Sequence, residues 1–184
     1  MPELAENQGL RDALLVVRCQ LGERAAFEEL VRGWSGPLLR HIKRIADPAQ
    51  AEDLAQEVWL RAFRGITRLR ETARIGGWLF GIAHHVVMDH FRLRPVLEDT
   101  AVTDDIAAEE SNSREVILDR LETELAALPV LEREMLSLFY LEDLSLNQIA
   151  VIQSAPLGTV KSRLSRARGM LRRSMFSQGD THDA

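Results

Sequence analysis

The sequence predicts an all-α protein of two small helical domains joined by an acidic flexible linker. Three observations lead there. Leucine, alanine and arginine are plentiful while aromatics make up only 5% of the chain, a balance that favours helix over sheet. Apolar residues recur at intervals of three and four through most segments, the period of a helix with one buried face. Between residues 95 and 113 the composition turns acidic, small and polar (PVLEDTAVTDDIAAEESNS) with no period of either kind, as in a tether. The expected boundaries are therefore a first domain over 10–94, the linker over 95–113 and a second domain over 114–175.

Bulk composition narrows the function. A chain of 184 residues accommodates two small domains. The net charge of −5 is unevenly spread: acid gathers in Glu98, Asp99, Asp104, Asp105, Glu109, Glu110 and Glu115, whereas the last helix is basic. A local cationic field can thus meet an anionic partner within an acidic whole, although weak overall attraction predicts poor DNA affinity for the isolated chain. No apolar run reaches membrane-spanning length, and the start MPELAENQGLRD lacks a charged-then-apolar signal pattern. No membrane insertion is expected, and Cys19, the only cysteine, excludes an internal disulfide and suits a reducing cytoplasm. Within LLVVRCQL its expected role is buried packing. No glycine-rich phosphate loop, nucleophile–base set or metal-ligand spacing is present, so neither an enzyme nor a cofactor is expected.

Along the first domain, Leu10 to Leu21 reads as a helix ended at Gly22. Glu23 to Val31 reads as a second, with Ala26, Phe27, Leu30 and Val31 inward; Gly33 and Gly36 loosen the chain before a third, Pro37 to Ile45. Asp47-Pro48 stops that helix and starts the next, Ala49 to Phe63 (AQAEDLAQEVWLRAF). There Leu54, Val58, Trp59 and Phe63 form the buried side, and Glu52, Asp53, Gln56 and Glu57 an acidic, hydrogen-bonding face. On residues alone this face reads as solvated surface with acids favourably near a helix N-terminus. Gly65 to Gly77 has no apolar period and reads as a loop, whose Arg68, Arg70 and Arg74 suit phosphates. Trp78 to Leu93 is apolar around most of its circumference and should be largely buried, except for a stripe of Gly81, His84, His85, Met88 and Arg92. His84, His85 and His90 do not make a metal site, because neighbours on a helix point about 100° apart.

The second domain opens with Arg114 to Leu128 and continues from Pro129 through PVLEREMLSLFYL, whose Leu131, Met135, Leu138, Phe139 and Leu141 should complete a core. Ser145 then reads as N-cap of a short helix carrying Ile149, Ala150 and Ile152. After Gln153, Ser154 and Ala155, Pro156 suits the first turn of a long helix. Leu157, Val160, Leu164, Ala167 and Leu171 give that helix one apolar face; Ser162, Ser165, Arg166 and Arg173, flanked by Lys161, Arg163 and Arg172, give it a polar one without acid. A short helix, a tight turn and a one-signed second helix form the pattern of a helix-turn-helix.

PLGTVKSRLSRARGMLRR resembles the final DNA-reading helix of bacterial sigma factors of the extracytoplasmic-function (ECF) group, within the sigma-70 family. AEDLAQEVWLRAF resembles that family's segment for docking on RNA polymerase. The two stand in the right order around an acidic linker, and the resemblance covers about Leu10 to Met175. It implies a region 2 bundle in the first domain and a region 4 helix-turn-helix in the second. It also implies a non-enzymatic factor that binds core polymerase, directs promoter-specific initiation and is held by an anti-sigma factor. Asp53, Gln56 and Glu57 match the positions that contact the clamp helices of the largest polymerase subunit. The arginine loop corresponds to the part that selects the downstream promoter element, and the helix with His84, His85 and Arg92 to the part against the separated strand. On the last helix, Lys161, Ser162, Ser165 and Arg166 would face the major groove of the upstream element. Arg163 and Arg172 would hold phosphates, and Gly158 and Thr159 would bring the helix N-terminus near the backbone. The chain departs from the family at two places. His84-His85 replaces an arginine–asparagine pair, and Ser154 replaces a turn glycine, whose positive φ serine tolerates poorly. A sigma-like decoy and a stand-alone helix-turn-helix regulator are the alternatives.

Overall fold

Eight α-helices carry the computed structural model, which describes residues 2–93 and 113–177, with no strand among them. They are α1 (Pro2–Gln20), α2 (Arg24–Ile45), α3 (Ala51–Gly65), α4 (Ile75–Leu93), α5 (Ser113–Ala126), α6 (Val130–Leu136), α7 (Leu146–Ile152) and α8 (Leu157–Ser177). The expected linker, apart from Ser113, lies outside the described residues.

The helices expected over 23–31 and 37–45 are one helix, α2, which runs through Gly33, Gly36 and Pro37. A proline ring inside a helix meets the carbonyl four residues back and removes one hydrogen bond. Packing at both ends outweighs that local penalty. Ala26 and Leu30 are buried with Val16 and Cys19 of α1 and Leu79 of α4, while Leu38, Ile42 and Ile45 enter a second cluster with Val58, Phe80 and Val87. Trp34 lies between and packs against both clusters. Asp47 ends the segment as expected: its side chain accepts from Ala49 N at 3.0 Å, with Pro48 opening a short 3-10 turn before α3.

On α3, Leu54 and Val58 are buried and Trp59 half-buried, but Phe63 is exposed, its ring edge-on to Phe27. Ala62 takes the interior position instead, buried with Leu30, Ile66 and Leu79. The stretch read as a loop over 65–77 is largely ordered into two 3-10 turns, Ile66–Arg68 and Thr72–Arg74, before α4 begins at Ile75. Ile66 and Ile75 anchor it in the core, and the Gln20 amide donates to the carbonyls of Ile66 and Leu69 at 3.0 and 2.8 Å.

In the second half, α6 passes into a π-helical turn, Ser137–Leu141, capped by Glu142 and followed by Asp143 with φ of 52°. Met135 and Leu138 are fully buried, whereas Leu141, expected inside, is half exposed. The two halves share the larger hydrophobic cluster: Phe80, Ala83 and Val87 of α4 lie in it with Leu136, Ile149, Ile152 and Leu164. Contacts run from α4 to α7 and from α2 to α6.

Candidate nucleic-acid and docking interfaces

The helix-turn-helix is built by local rules. Ser145 caps α7 in a reciprocal box: its hydroxyl accepts from Gln148 N, and the Gln148 side chain accepts from Ser145 N at 2.9 Å. At the far end, Ala155 N donates to Ala150 O at 3.0 Å and Ser154 N to Val151 O at 3.2 Å. That pair of bonds is the Schellman closure, which needs a left-handed residue at the position of Ser154. Ser154 does adopt φ of 48°, so the chain keeps the geometry of a glycine turn without the glycine. Pro156 sits one residue before α8 rather than in its first turn, its carbonyl accepting from Val160 N at 3.1 Å.

Val160, Leu164 and Ala167 bury the inner face of α8, while Leu157 is exposed and Leu171 half-buried. Gly158, Thr159, Lys161, Ser162, Ser165, Arg166 and Arg172 are all exposed, so the expected outer face exists as one surface. Two of its cations are tied back to the protein. Arg166 pairs with Glu132, whose carboxylate is nearly buried on α6, and Arg163 donates to the side-chain oxygen of Gln153 in the turn at 2.5 Å. Ser162 bonds locally to Thr159 O at 2.9 Å. Arg168 lies over the rings of Phe139 and Tyr140, 5.5 and 5.3 Å from their centroids.

In the first half, Asp53 and Gln56 are exposed and Glu57 half-exposed on one side of α3. Spacings of three and four place them together. Glu57 accepts from Arg61 at 2.8 Å, and Arg61 also reaches Asp89 of α4 at 3.1 Å. These two bonds hold the Arg61 guanidinium charged, raising its pKa further. Arg68, Arg70 and Arg74 are exposed, Arg74 pairing with Glu71 at 2.9 Å.

The two adjacent histidines separate. His85 is exposed and its Nδ1 lies 2.7 Å from Gly81 O. His84, expected beside it toward bases, is 8% exposed and lies 2.9 Å from both carboxylate oxygens of Glu134 on α6. Glu134 is fully buried and also accepts from Gln153 Nε2 at 2.9 Å. Arg92 is exposed and pairs with Asp89 at 3.6 Å. Glu132, Glu134 and Gln153 were not singled out in the sequence. The available signal was Glu134 standing between Leu131 and Leu138, at a spacing that belongs to the apolar face.

Two further contacts cross between the halves. His41, fully buried against the Phe80 ring, has Nδ1 3.2 Å from Ser137 Oγ, and loss of water lowers its pKa to about 4. Arg44 reaches Glu142 at 3.4 Å, a carboxyl whose pKa burial raises against the pull of Arg44 and Arg40. A cleft of about 390 Å³ opens between His84, Met88, Phe91 and Arg92 of α4 and Leu131, Gln153 and Arg163 of the other half.

An all-helical chain with an acidic face on one unit and a capped helix-turn-helix on the other is a two-part helix-turn-helix protein. Family comparison gives the particular kind. Residues 24–94 match the model described as sigma-70 region 2, and residues 118–171 the one described as sigma-70, region 4. The chain is 33% identical over 174 residues to the RNA polymerase sigma-H factor of Pseudomonas aeruginosa, covering 86% of this chain and 90% of that relative. It is 32% identical over 161 residues to the ECF sigma factor SigC of Mycobacterium tuberculosis, covering 85% and 87%. Its fold is similar to CnrH bound to the cytosolic domain of CnrY, with a TM-score of 0.66 at 21% identity, covering 92% of this chain and 99% of that one. It is also similar to RpoE bound to the anti-sigma factor NepR from Bartonella quintana, with a TM-score of 0.64 at 24% identity, covering 80% and 94%. The chain belongs to the sigma-70 family, as an RNA polymerase sigma factor of the ECF group.

Proposed function

We propose that this sigma factor docks on the clamp helices of the largest polymerase subunit through Asp53, Gln56 and Glu57, and reads a promoter at two separate elements. The carrying observation is that two chemically opposite surfaces stand exposed on different halves of one chain: the α3 acidic face and the α8 cationic face. Carboxylates and an amide suit arginines on a partner, giving charge-assisted bonds that fix orientation. On α8, Lys161, Ser162, Ser165 and Arg166 contact base edges of the upstream element. Arg163 and Arg172 hold phosphates, with Gly158 and Thr159 presenting the helix N-terminus to the backbone.

The downstream element is taken as separated strand. Arg68, Arg70 and Arg74 bind its phosphates, while His85 and Arg92 stack on or donate to unpaired bases; His84, turned inward onto Glu134, takes no part in that contact. Strand opening is then driven by tighter binding to the opened state, with no bond made or broken by the sigma factor itself. An anti-sigma protein restrains the chain until a signal arrives, and the work is done in the cytoplasm. No helix among the described residues is long and apolar enough to cross a membrane.

The test is in vitro transcription with purified core polymerase on a promoter library. The expected result is selection of templates sharing two spaced elements, lost when Lys161 and Arg166 are both changed to alanine. Initiation without template preference, or none with any core enzyme, refutes the proposal.

A further inference from the structure

We propose that Glu132 is a specificity-determining positioning residue for promoter reading: it fixes the Arg166 guanidinium and offsets its charge, so that Arg166 serves a guanine edge and not a phosphate. The inference rests on the promoter function above and deepens it, by giving a role to a side chain that lies beneath the DNA-facing surface.

The pair is lopsided. Glu132 is 4% exposed, whereas the Arg166 side chain is 65% exposed. Arg166 Nη2 donates to Glu132 Oε1 across 34 residues of chain. The anchor has little freedom of its own. Glu132 sits in the first turn of α6, its backbone N–H donating to Pro129 O at 3.0 Å. A long, flexible arginine is thereby held at its tip by a group that cannot follow it outward. Nη2 is spent on the carboxylate; the other guanidinium N–H groups remain for a base.

The other cations of α8 are placed differently. Lys161 and Arg172 are exposed and form no ion pair among the described residues, so each offers an unopposed charge to a phosphate. Arg163 donates to Gln153, a neutral amide, and keeps its charge unopposed. Arg166 alone on α8 pairs with a carboxylate among the described residues. A carboxylate alongside weakens the pull of a phosphate, which follows net charge. It leaves intact the planar fork that recognises O6 and N7 of guanine. Thr159, Ser162 and Arg163 border the same recess of about 320 Å³ as Arg166, so the held guanidinium stands beside the other groups of the reading face.

The test uses holoenzyme assembled from core polymerase and the full chain. It is titrated with a template selected from the promoter library, in one version per base at the upstream position whose preference Arg166→Ala flattens, and with an unrelated duplex. Glu132→Gln keeps the size of the side chain and removes its charge. It should cut discrimination at that position by about tenfold, the share of one bidentate contact. Binding to the unrelated duplex should strengthen, with a log–log salt slope steeper by about one as the freed cation takes a phosphate. Unchanged discrimination, or equal weakening on every duplex, overturns the positioning role. In an Arg166→Ala background the steepening should vanish, and a steepening that persists overturns the role as well. Should Glu132→Gln lose helicity, Glu132→Asp takes its place: the charge stays but withdraws by a methylene, so discrimination should fall while the salt slope holds, and full discrimination overturns the role. A wild type without upstream preference overturns the promoter reading and this inference together. A discriminating wild type beside an equally discriminating variant overturns this inference alone.

Discussion

Replacement of His41 by phenylalanine should remove a defined portion of the acid sensitivity of the fold. His41 is fully buried between the halves and its pKa is lowered from 6.5 to about 4, chiefly by loss of water; Glu134 pulls it up, while Arg44 and His84 push it down. A depressed folded pKa means that the unfolded chain binds the proton first. Stability from this group is therefore complete above pH 6.5 and is lost as pH falls from there to about 4. A drop of that size, at about 1.4 kcal/mol per pH unit, amounts to about 3 kcal/mol. Phenylalanine keeps the ring contact with Phe80 and removes His41 Nε2, a buried nitrogen without a hydrogen-bond partner. It loses only the bond to Ser137, so at pH 7.5 the variant should lie within about 1 kcal/mol of wild type. The assay is urea denaturation of both proteins at half-unit steps from pH 7.5 to 4. Carboxylates titrate in both proteins, so the difference between the curves isolates His41. It should grow by about 3 kcal/mol in favour of His41→Phe. Parallel curves would refute the assignment of a neutral, dehydrated imidazole at this position.

Other expectations are more local. Ser154→Gly should stabilise the protein by up to about 1 kcal/mol, because relief of a left-handed serine exceeds the entropy of glycine, and a lowered Tm would contradict it. Gly76→Ala should destabilise by about 1–3 kcal/mol through overpacking, since the new Cβ would stand 2.5 Å from Cη2 of Trp34; an unchanged denaturation midpoint would show that Trp34 swings aside freely. Asp53→Arg should abolish co-elution with core polymerase at unaltered helicity, and normal holoenzyme formation removes the docking role. Arg166→Ala should weaken promoter binding by about 1–3 kcal/mol and relax preference at one upstream position, whereas an unchanged preference counts against base reading.

Elements governed by near neighbours were legible in the sequence. The N-cap at Ser145, the apolar stripe of Val160, Leu164 and Ala167, and the stop at Asp47-Pro48 each depend on residues a few positions apart. At Ser154 the family's glycine pointed to a turn that serine would strain or reshape, and the chain instead keeps the left-handed geometry, with φ of 48°. What stayed hidden depends on distant partners. Pro37 looked like a boundary, because the clusters that carry α2 through it draw on α1, α3 and α4. Glu132 and Glu134 passed as polar positions of an amphipathic helix. Their partners Arg166 and His84 stand 34 and 50 residues away. No local period reveals such pairs. The acidic face of α3 was legible from its residues, but the docking role proposed for it comes from family resemblance alone, since solvated acids near a helix N-terminus need no partner.

The larger interior cluster takes side chains from both ends of the chain. Heating should therefore melt this molecule in one event, not as two independent modules. Severed between α4 and α5, either fragment would carry a bare oily flank and would self-associate at concentrations where the intact chain stays dispersed. Fragments made to study one promoter element at a time therefore need polar replacements at Phe80 or Ile149 before their behaviour can stand for that of the parent.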